Sequence, residues 1–132
     1  MDGCGLGRNF MKKEKKIKDN ELDCLWSLKI HAGGRCEVCG GVGRLNAHHV
    51  FSRSNKSVRW DLDNGVLLCV SHHVFGQWSA HKNPVEFIEK MRTLRGEKWY
   101  KALREKAKKS VQADQLFRKK IKILLENYDQ CT

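Results

Sequence analysis

The sequence has a single proline, Pro84, and no apolar run that approaches the roughly 18 residues of a membrane span. Its first residues, MDGCGLGRNFMKKEKK, lack the apolar stretch of a secretory signal, so we expect a cytoplasmic protein without a membrane partner. Acidic residues are also scarce: 15 Asp and Glu stand against 26 Lys and Arg, a net charge of +11. This excess favours a polyanionic partner, nucleic acid before an anionic membrane surface.

The 132 residues are the size of one domain, and no repeat or long linker is visible. Residues 1–19 are rich in glycine and lysine, and we interpret them as a mobile basic arm. Apolar residues at helical spacing predict a first helix over residues 20–31, capped by Asp19 or Asn20 and ended by a Gly-Gly pair.

The rest of the chain divides into a short central segment and a helical C-terminal part. Residues 35–82 are crowded with Cys and His and are too few for an ordinary core, so a metal would have to stabilise them. Asn83 followed by Pro84 predicts the start of a helix that ends before Gly96. Apolar stripes among lysines and arginines predict further helix over residues 96–132.

Two pairs of residues have the spacing of zinc ligands. Cys36 and Cys39 are three positions apart and are followed by two glycines; Cys69 and His72 repeat this offset thirty residues later. Three thiolates and one imidazole form a known structural zinc set, whereas a disulfide framework would need an oxidising compartment. The three other cysteines lack partners at ligand spacing, and we expect Cys24 to pack within the first helix; the remaining two are Cys4 and Cys131.

Five of the six histidines fall between residues 48 and 81, too many to attribute to packing. The alternation around His48 and His49 predicts a strand that directs the two rings to opposite sides. Asn64 follows fifteen residues after His49, within the turn-forming DLDNG, and an apolar segment then leads to His72 and His73.

The stretch from about Trp26 to Phe87 resembles the HNH endonucleases, or ββα-metal nucleases, in their zinc-bearing form. The matching motifs are CEVCG, AHHVFSR, RWDLDNGVLLC and HKNPVEF. The resemblance implies an α+β fold: a small zinc-stapled ββα-metal core with flanking basic helices. On this interpretation residues 20–95 form the nuclease domain, and residues 96–132 form a basic helical extension.

The resemblance also implies roles for individual residues. His48 would bind the catalytic cation, His49 would be the general base, and Asn64 would hold the backbone of the base by hydrogen bonds. His73 would be the next cation ligand, while His72 stands where the family usually has a zinc-binding cysteine.

A further cation ligand is left open. Many relatives have a histidine one helical turn after the equivalent of His73, but this chain has Gln77 there, and the next histidine is His81. Two helical turns span about 12 Å, so His81 reaches the same cation only if Gly76 breaks the helix. Otherwise Gln77 or water completes the set.

The segment between His49 and Asn64 carries three basic side chains. We interpret Arg53, Lys56 and Arg59 as phosphate contacts, with an ion pair to Asp61 or Asp63 as the alternative for Arg59. Trp60 is expected in the core beneath this loop rather than as a stacking platform. The basic flanks 12–18 and 98–122 predict salt-sensitive, sequence-independent binding to DNA.

Together these features predict a metal-dependent DNA endonuclease that nicks or cuts both strands, leaving a 5′-phosphate and a 3′-hydroxyl as the family does. We expect Mg²⁺ or Mn²⁺ at the histidines, although imidazole also accepts Ni²⁺, Co²⁺ and Zn²⁺. The alternatives are a zinc-stapled binding module without catalysis and a phage-type junction-resolving nuclease. A bacterial or phage-infected cell would be the setting, with a homodimer or a larger phage DNA-processing assembly as the working unit.

Overall fold

The computed structural model describes residues 15–128, so most of the predicted basic arm, Cys4 and Cys131 lie outside the described residues. The fold is mixed α/β, with four α-helices and two strands in the described part of the chain. Their bounds are α1 Asp19–His31, β1 Leu45–His49, β2 Gly65–Cys69, α2 Pro84–Arg95, α3 Glu97–Lys108 and α4 Gln115–Asn127. A 3-10 turn, Leu62–Asn64, precedes β2, and a π-helical turn, Ser71–Phe75, follows it.

The two strands form one antiparallel sheet in which Leu45 pairs with Cys69 and His49 pairs with Gly65. Residues 65–68 of β2 are all buried, because helices cover both of its faces. On one side Val66 and Leu68 pack with Phe87 and Met91 of α2.

A second apolar cluster lies under α1 and contains Leu22, Trp26, Trp60 and Leu125. Trp60 is therefore in the core, as predicted, and α4 contributes to the same core through Leu125. The C-terminal helices are thus packed on the rest of the fold. None of the helices within residues 15–128 has the length and apolar character needed to cross a membrane.

The predicted helix caps are wrong in detail. Lys18 occupies the cap position of α1 without a side-chain bond to the helix, and Asp19 is already its first residue. Asn83 precedes α2 as predicted, but its side-chain amide donates to the carbonyl of Gln77 (2.7 Å) instead of capping. Cys24 is exposed, so its predicted packing within the helix is also wrong.

Candidate metal centres and the histidine cleft

The four predicted zinc ligands come together at one end of the sheet. The ligand atoms of Cys36, Cys39, Cys69 and His72 all lie within 4.8 Å of one another. The Sγ atoms of Cys39 and Cys69 are 3.8 Å apart, and His72 Nδ1 lies 3.7 Å from Cys36 Sγ and 3.2 Å from Cys69 Sγ. A tetrahedral zinc with Zn–S near 2.3 Å and Zn–N near 2.0 Å requires separations of about 3.5–3.8 Å. These residues therefore lie close enough to bind a metal such as zinc.

Short backbone hydrogen bonds build the turn that carries the first two cysteines. The N–H of Gly40 donates to the carbonyl of Cys36 (2.8 Å), and the N–H of Cys36 donates to the carbonyl of Gly41 (2.9 Å). Gly40 has φ 75°, which glycine adopts without strain. Burial opposes ionisation of Cys36, but backbone N–H groups, chiefly that of Cys69, outweigh it and lower the pKa of this thiol. The result favours the thiolate, the form that binds metals.

The structure brings His81 together with His48 and His73, and their ligand atoms also lie within 4.8 Å of one another. The Nε2 atoms of His73 and His81 are 3.0 Å apart. Two nitrogens held about 2.1 Å from one cation lie about 3.0–3.4 Å apart, so this pair has the spacing of shared ligation.

Gly76 explains how His81 returns to this cluster. The π-helical turn ends there, and a Cβ atom on Gly76 would lie 2.5 Å from the carbonyl oxygen of Ser71. The chain then folds back: the N–H of Ala80 donates to the backbone carbonyl of His72, and the N–H of His81 donates to the backbone carbonyl of His73. The helix break that the sequence left as an alternative is thus present.

Burial favours the neutral form of two of the three clustered imidazoles. It lowers the pKa of His48 from 6.5 to about 3, with repulsion from His73 and His81 as smaller contributions. Burial also lowers the pKa of His73. His73 Nδ1 is buried without a hydrogen-bond partner in the described structure, which leaves Nε2 as the interacting nitrogen of this ring. Three imidazole nitrogens fit Zn²⁺, Ni²⁺ or Co²⁺ better than Mg²⁺, which prefers oxygen ligands.

His49 lies on the other side of β1, as the strand alternation predicts. Its ring stacks on Trp26 at a centroid distance of 4.0 Å, and its Nε2 lies 2.9 Å from the carbonyl oxygen of Arg59. A carbonyl only accepts, so the proton of the neutral ring is on Nε2 and Nδ1 has a lone pair. Burial lowers the pKa of His49, and the Arg59 carbonyl and the charge of Asp23 act against it.

Asn64 is fully buried and closes the loop that follows His49. Its Oδ1 accepts from the N–H of Phe51 (2.7 Å), and its Nδ2 donates to the carbonyls of Phe51 (3.1 Å) and Val58 (3.0 Å). Its own carbonyl accepts from the N–H of Val50 (2.9 Å). Asn64 thus fixes the backbone beyond His49 at two places: its main-chain carbonyl holds Val50, and its side chain holds Phe51.

The three predicted phosphate contacts differ in their surroundings. The side chain of Arg59 is only 12% exposed and makes a two-point ion pair with Asp23, so the alternative pairing with Asp61 or Asp63 is wrong. Lys56 pairs with Asp19 at 2.5 Å. Arg53 is 64% exposed and makes one contact with Asp23 at 3.0 Å.

Asp23 is a residue that sequence reasoning missed. It accepts hydrogen bonds from Arg59, Arg53 and Trp60, and it therefore supports the loop whose carbonyl holds His49. The only signal in the sequence is that Asp19 and Asp23 lie four residues apart on one helix of a strongly basic chain.

One cleft of about 510 Å³ is lined by four of the histidines and by one of the predicted phosphate contacts: His48, His49, His73, His81 and Arg53. No family model matches the chain, and neither a curated protein nor a solved structure does. Function is therefore inferred from the geometry of the side chains themselves.

Proposed function

We propose that the protein is a metal-dependent DNA endonuclease of the HNH kind, with its strands and the following helical turns as a ββα-metal core. One observation carries this proposal: His48 and His49 are adjacent in β1 but lie in different surroundings. His48 joins a three-imidazole cluster, while His49 is fixed by Arg59 with Nδ1 unbonded among the described residues. A cation site beside a positioned base is the arrangement that phosphodiester hydrolysis requires.

His49 would take a proton from water through Nδ1 as the water oxygen attacks phosphorus. The carbonyl of Arg59 orients the ring and stabilises the imidazolium that forms, because it accepts a hydrogen bond from Nε2–H before and after the proton transfer. The new P–O bond forms as the bond to the 3′ oxygen breaks. Solvent would supply the proton that the departing oxygen takes up, and His49 would return its proton to solvent, which leaves a 5′-phosphate and a 3′-hydroxyl. Asn64 contributes by holding the backbone of Phe51, so that His49 does not drift from the water.

A cation held by His48, His73 and His81 would neutralise charge on the phosphate and on the departing oxygen. The nitrogen donors favour Ni²⁺, Co²⁺ or Zn²⁺, and the expected Mg²⁺ and Mn²⁺ remain candidates for assay. Arg53 is the best placed of the three predicted phosphate contacts, since it lines the cleft and is largely exposed.

The four-ligand cluster would hold a structural zinc. Cys36 is buried in the apolar cluster that contains Val66, Leu68 and Phe87, so the metal would fasten the 36–41 turn to β2 and to the turn that carries His72 and His73. The turn that carries His72 and His73 would thus be shaped by zinc through His72 and would present His73 to the cleft.

The experiment is cleavage of supercoiled, linear, single-stranded and four-way-junction DNA by protein that retains its zinc, with Mg²⁺, Mn²⁺, Co²⁺, Ni²⁺ or further Zn²⁺ added and with EDTA as the metal-free control. His49→Ala should lose about 10²–10⁴-fold in rate while it retains zinc and DNA binding, because the base is separate from both metal clusters. His31→Ala is the matched control, since His31 is the remaining histidine and its ring bonds, among residues 15–128, only to Ser27 and the carbonyl of Leu45.

Each outcome has a meaning. A wild-type rate for His49→Ala would contradict the assigned base. A wild-type protein that binds DNA but leaves every substrate intact with every cation would support the binding module instead. Selective cleavage of four-way junctions would identify a junction-resolving nuclease.

A further inference from the structure

Arg95, the last residue of α2, connects two parts of the fold that are remote in sequence. Its Nε donates to Glu37 Oε2 (2.9 Å) and its Nη2 to Glu37 Oε1. The same guanidinium donates through Nη1 to the carbonyl of Asp63 (3.1 Å) and through Nη2 to the carbonyl of Gly65 (2.7 Å). The guanidinium therefore contacts a carboxylate on one side and the backbone of the 63–65 segment on the other.

Both directions lead to candidate functional groups. Glu37 lies between Cys36 and Cys39 in the metal-binding turn, and its own N–H donates to the carbonyl of Leu67 in β2. Asp63 and Gly65 are the residues on either side of Asn64, whose side chain fixes the loop after His49.

Trp99 of α3 reinforces the same contact. Its Nε1 donates to the carbonyl of Asp63 (2.9 Å), and its ring lies 5.0 Å from the guanidinium carbon of Arg95. The Arg95 side chain is 21% exposed, so its hydrogen bonds are partly shielded from water. The carbonyl of Asp63 is thus held from two sides.

We propose that Arg95 is a positioning residue that couples the metal-binding turn to the Asn64 loop and, through it, to His49. The expected change in kcat rests on the proposed nuclease function, whereas the expected loosening of the Asn64 loop does not. The planar fork of arginine serves a carboxylate and two carbonyls at once, whereas the single ammonium of lysine does not reproduce that geometry. Arg95→Lys therefore keeps the charge and loses the coupling.

Arg92→Lys is a matched control on the same helix. Arg92 makes a two-point ion pair with Glu97, and its guanidinium lies 4.5 Å from the ring of Tyr100. It resembles Arg95 in residue type, ion pair and aromatic neighbour. The described hydrogen bonds of its guanidinium go only to Glu97, so this side chain does not bond to the Asn64 loop.

The test measures kcat and KM for DNA cleavage, zinc content and amide hydrogen exchange at Phe51 and Met91. Arg95→Lys should lower kcat about 10–100-fold, as loss of an outer supporting bond typically does. KM should stay within about twofold, since no substrate contact is removed. The N–H of Phe51 donates to Asn64 Oδ1, and its exchange should accelerate at least about tenfold. Amide exchange at Met91, which is buried in α2, and the zinc content should stay unchanged. Arg92→Lys should change neither kcat nor Phe51 exchange.

The coupling is overturned if Arg95→Lys matches Arg92→Lys in Phe51 exchange and kcat, or if Phe51 and Met91 accelerate equally, which would show general destabilisation. Faster exchange at Phe51 with an unchanged kcat would also overturn it as a positioning role. If the wild-type protein cleaves no DNA, the proposed function fails, and Phe51 exchange alone still decides whether Arg95 fixes the Asn64 loop.

Discussion

Asn64→Asp exchanges one side-chain donor for an acceptor without changing the size of a fully buried residue. Oδ1 still accepts from the N–H of Phe51, but the carbonyl of Phe51 loses its described donor, while the carbonyl of Val58 keeps the N–H of Asp61 (3.1 Å). A carbonyl left without a partner costs about 1–3 kcal/mol, so the variant should lose about 1–3 kcal/mol of stability. With a urea m-value of about 2 kcal/mol per molar, the unfolding midpoint should fall by about 0.5–1.5 M.

Urea unfolding at pH 7 measures this directly, with zinc present throughout. Asn46→Asp is the control, because Asn46 is exposed on the neighbouring strand and undergoes the same change of charge. The Asn64 variant should also cleave DNA more slowly at a temperature where it is folded, since Phe51 follows His49 closely. Equal midpoints for the two variants would refute the assigned hydrogen bonds.

Three further predictions concern metal, pH and salt. Protein purified without added zinc should contain about one equivalent of it, and Cys36→Ser should lose both the metal and its cooperative melting, which metal analysis and calorimetry check. Hydrogen bonds from Arg118 and Lys56 lower the pKa of Asp19 from 3.8 to about 2, so this carboxylate stabilises the fold above pH 4 and loses its effect as the pH falls to 2. Asp19→Asn should therefore cost about 1 kcal/mol at pH 7, a figure reduced for solvent screening, and the difference in urea unfolding should shrink towards pH 2. DNA affinity should fall steeply between about 50 and 200 mM salt, with a log–log slope near −0.9 per neutralised phosphate; an affinity independent of salt in a filter-binding titration would contradict it.

The metal clusters could be predicted from the sequence because their constraints are local. Cys36 and Cys39 share one turn, Cys69 and His72 share another, and only one long-range step has to bring the two pairs together. The return of His81 could be stated as an alternative, since Gly76 was visible, but the choice depends on the close approach of Gly76 to Ser71.

The partners of the charged residues could not be predicted in the same way. Arg59 has acidic neighbours two and four positions later in the chain, yet its partner is Asp23, which α1 delivers from 36 positions away. Arg95 likewise reads as an ordinary basic residue at a helix end. Its role depends on where Glu37 and Asp63 lie in the fold, and periodicity contains no information on that.

His72 and His73 are consecutive residues that belong to different ligand clusters, so a single peptide bond sets the distance between the two candidate metals. An inserted or deleted residue between Cys69 and His81 would shift at least one ring out of its cluster, and this segment should be constant in length among any relatives. The 42–44 stretch is the opposite case, since Val42 is exposed and a side chain on Gly43 would meet no atom within 4 Å. Length variation, or a label introduced by engineering, belongs there.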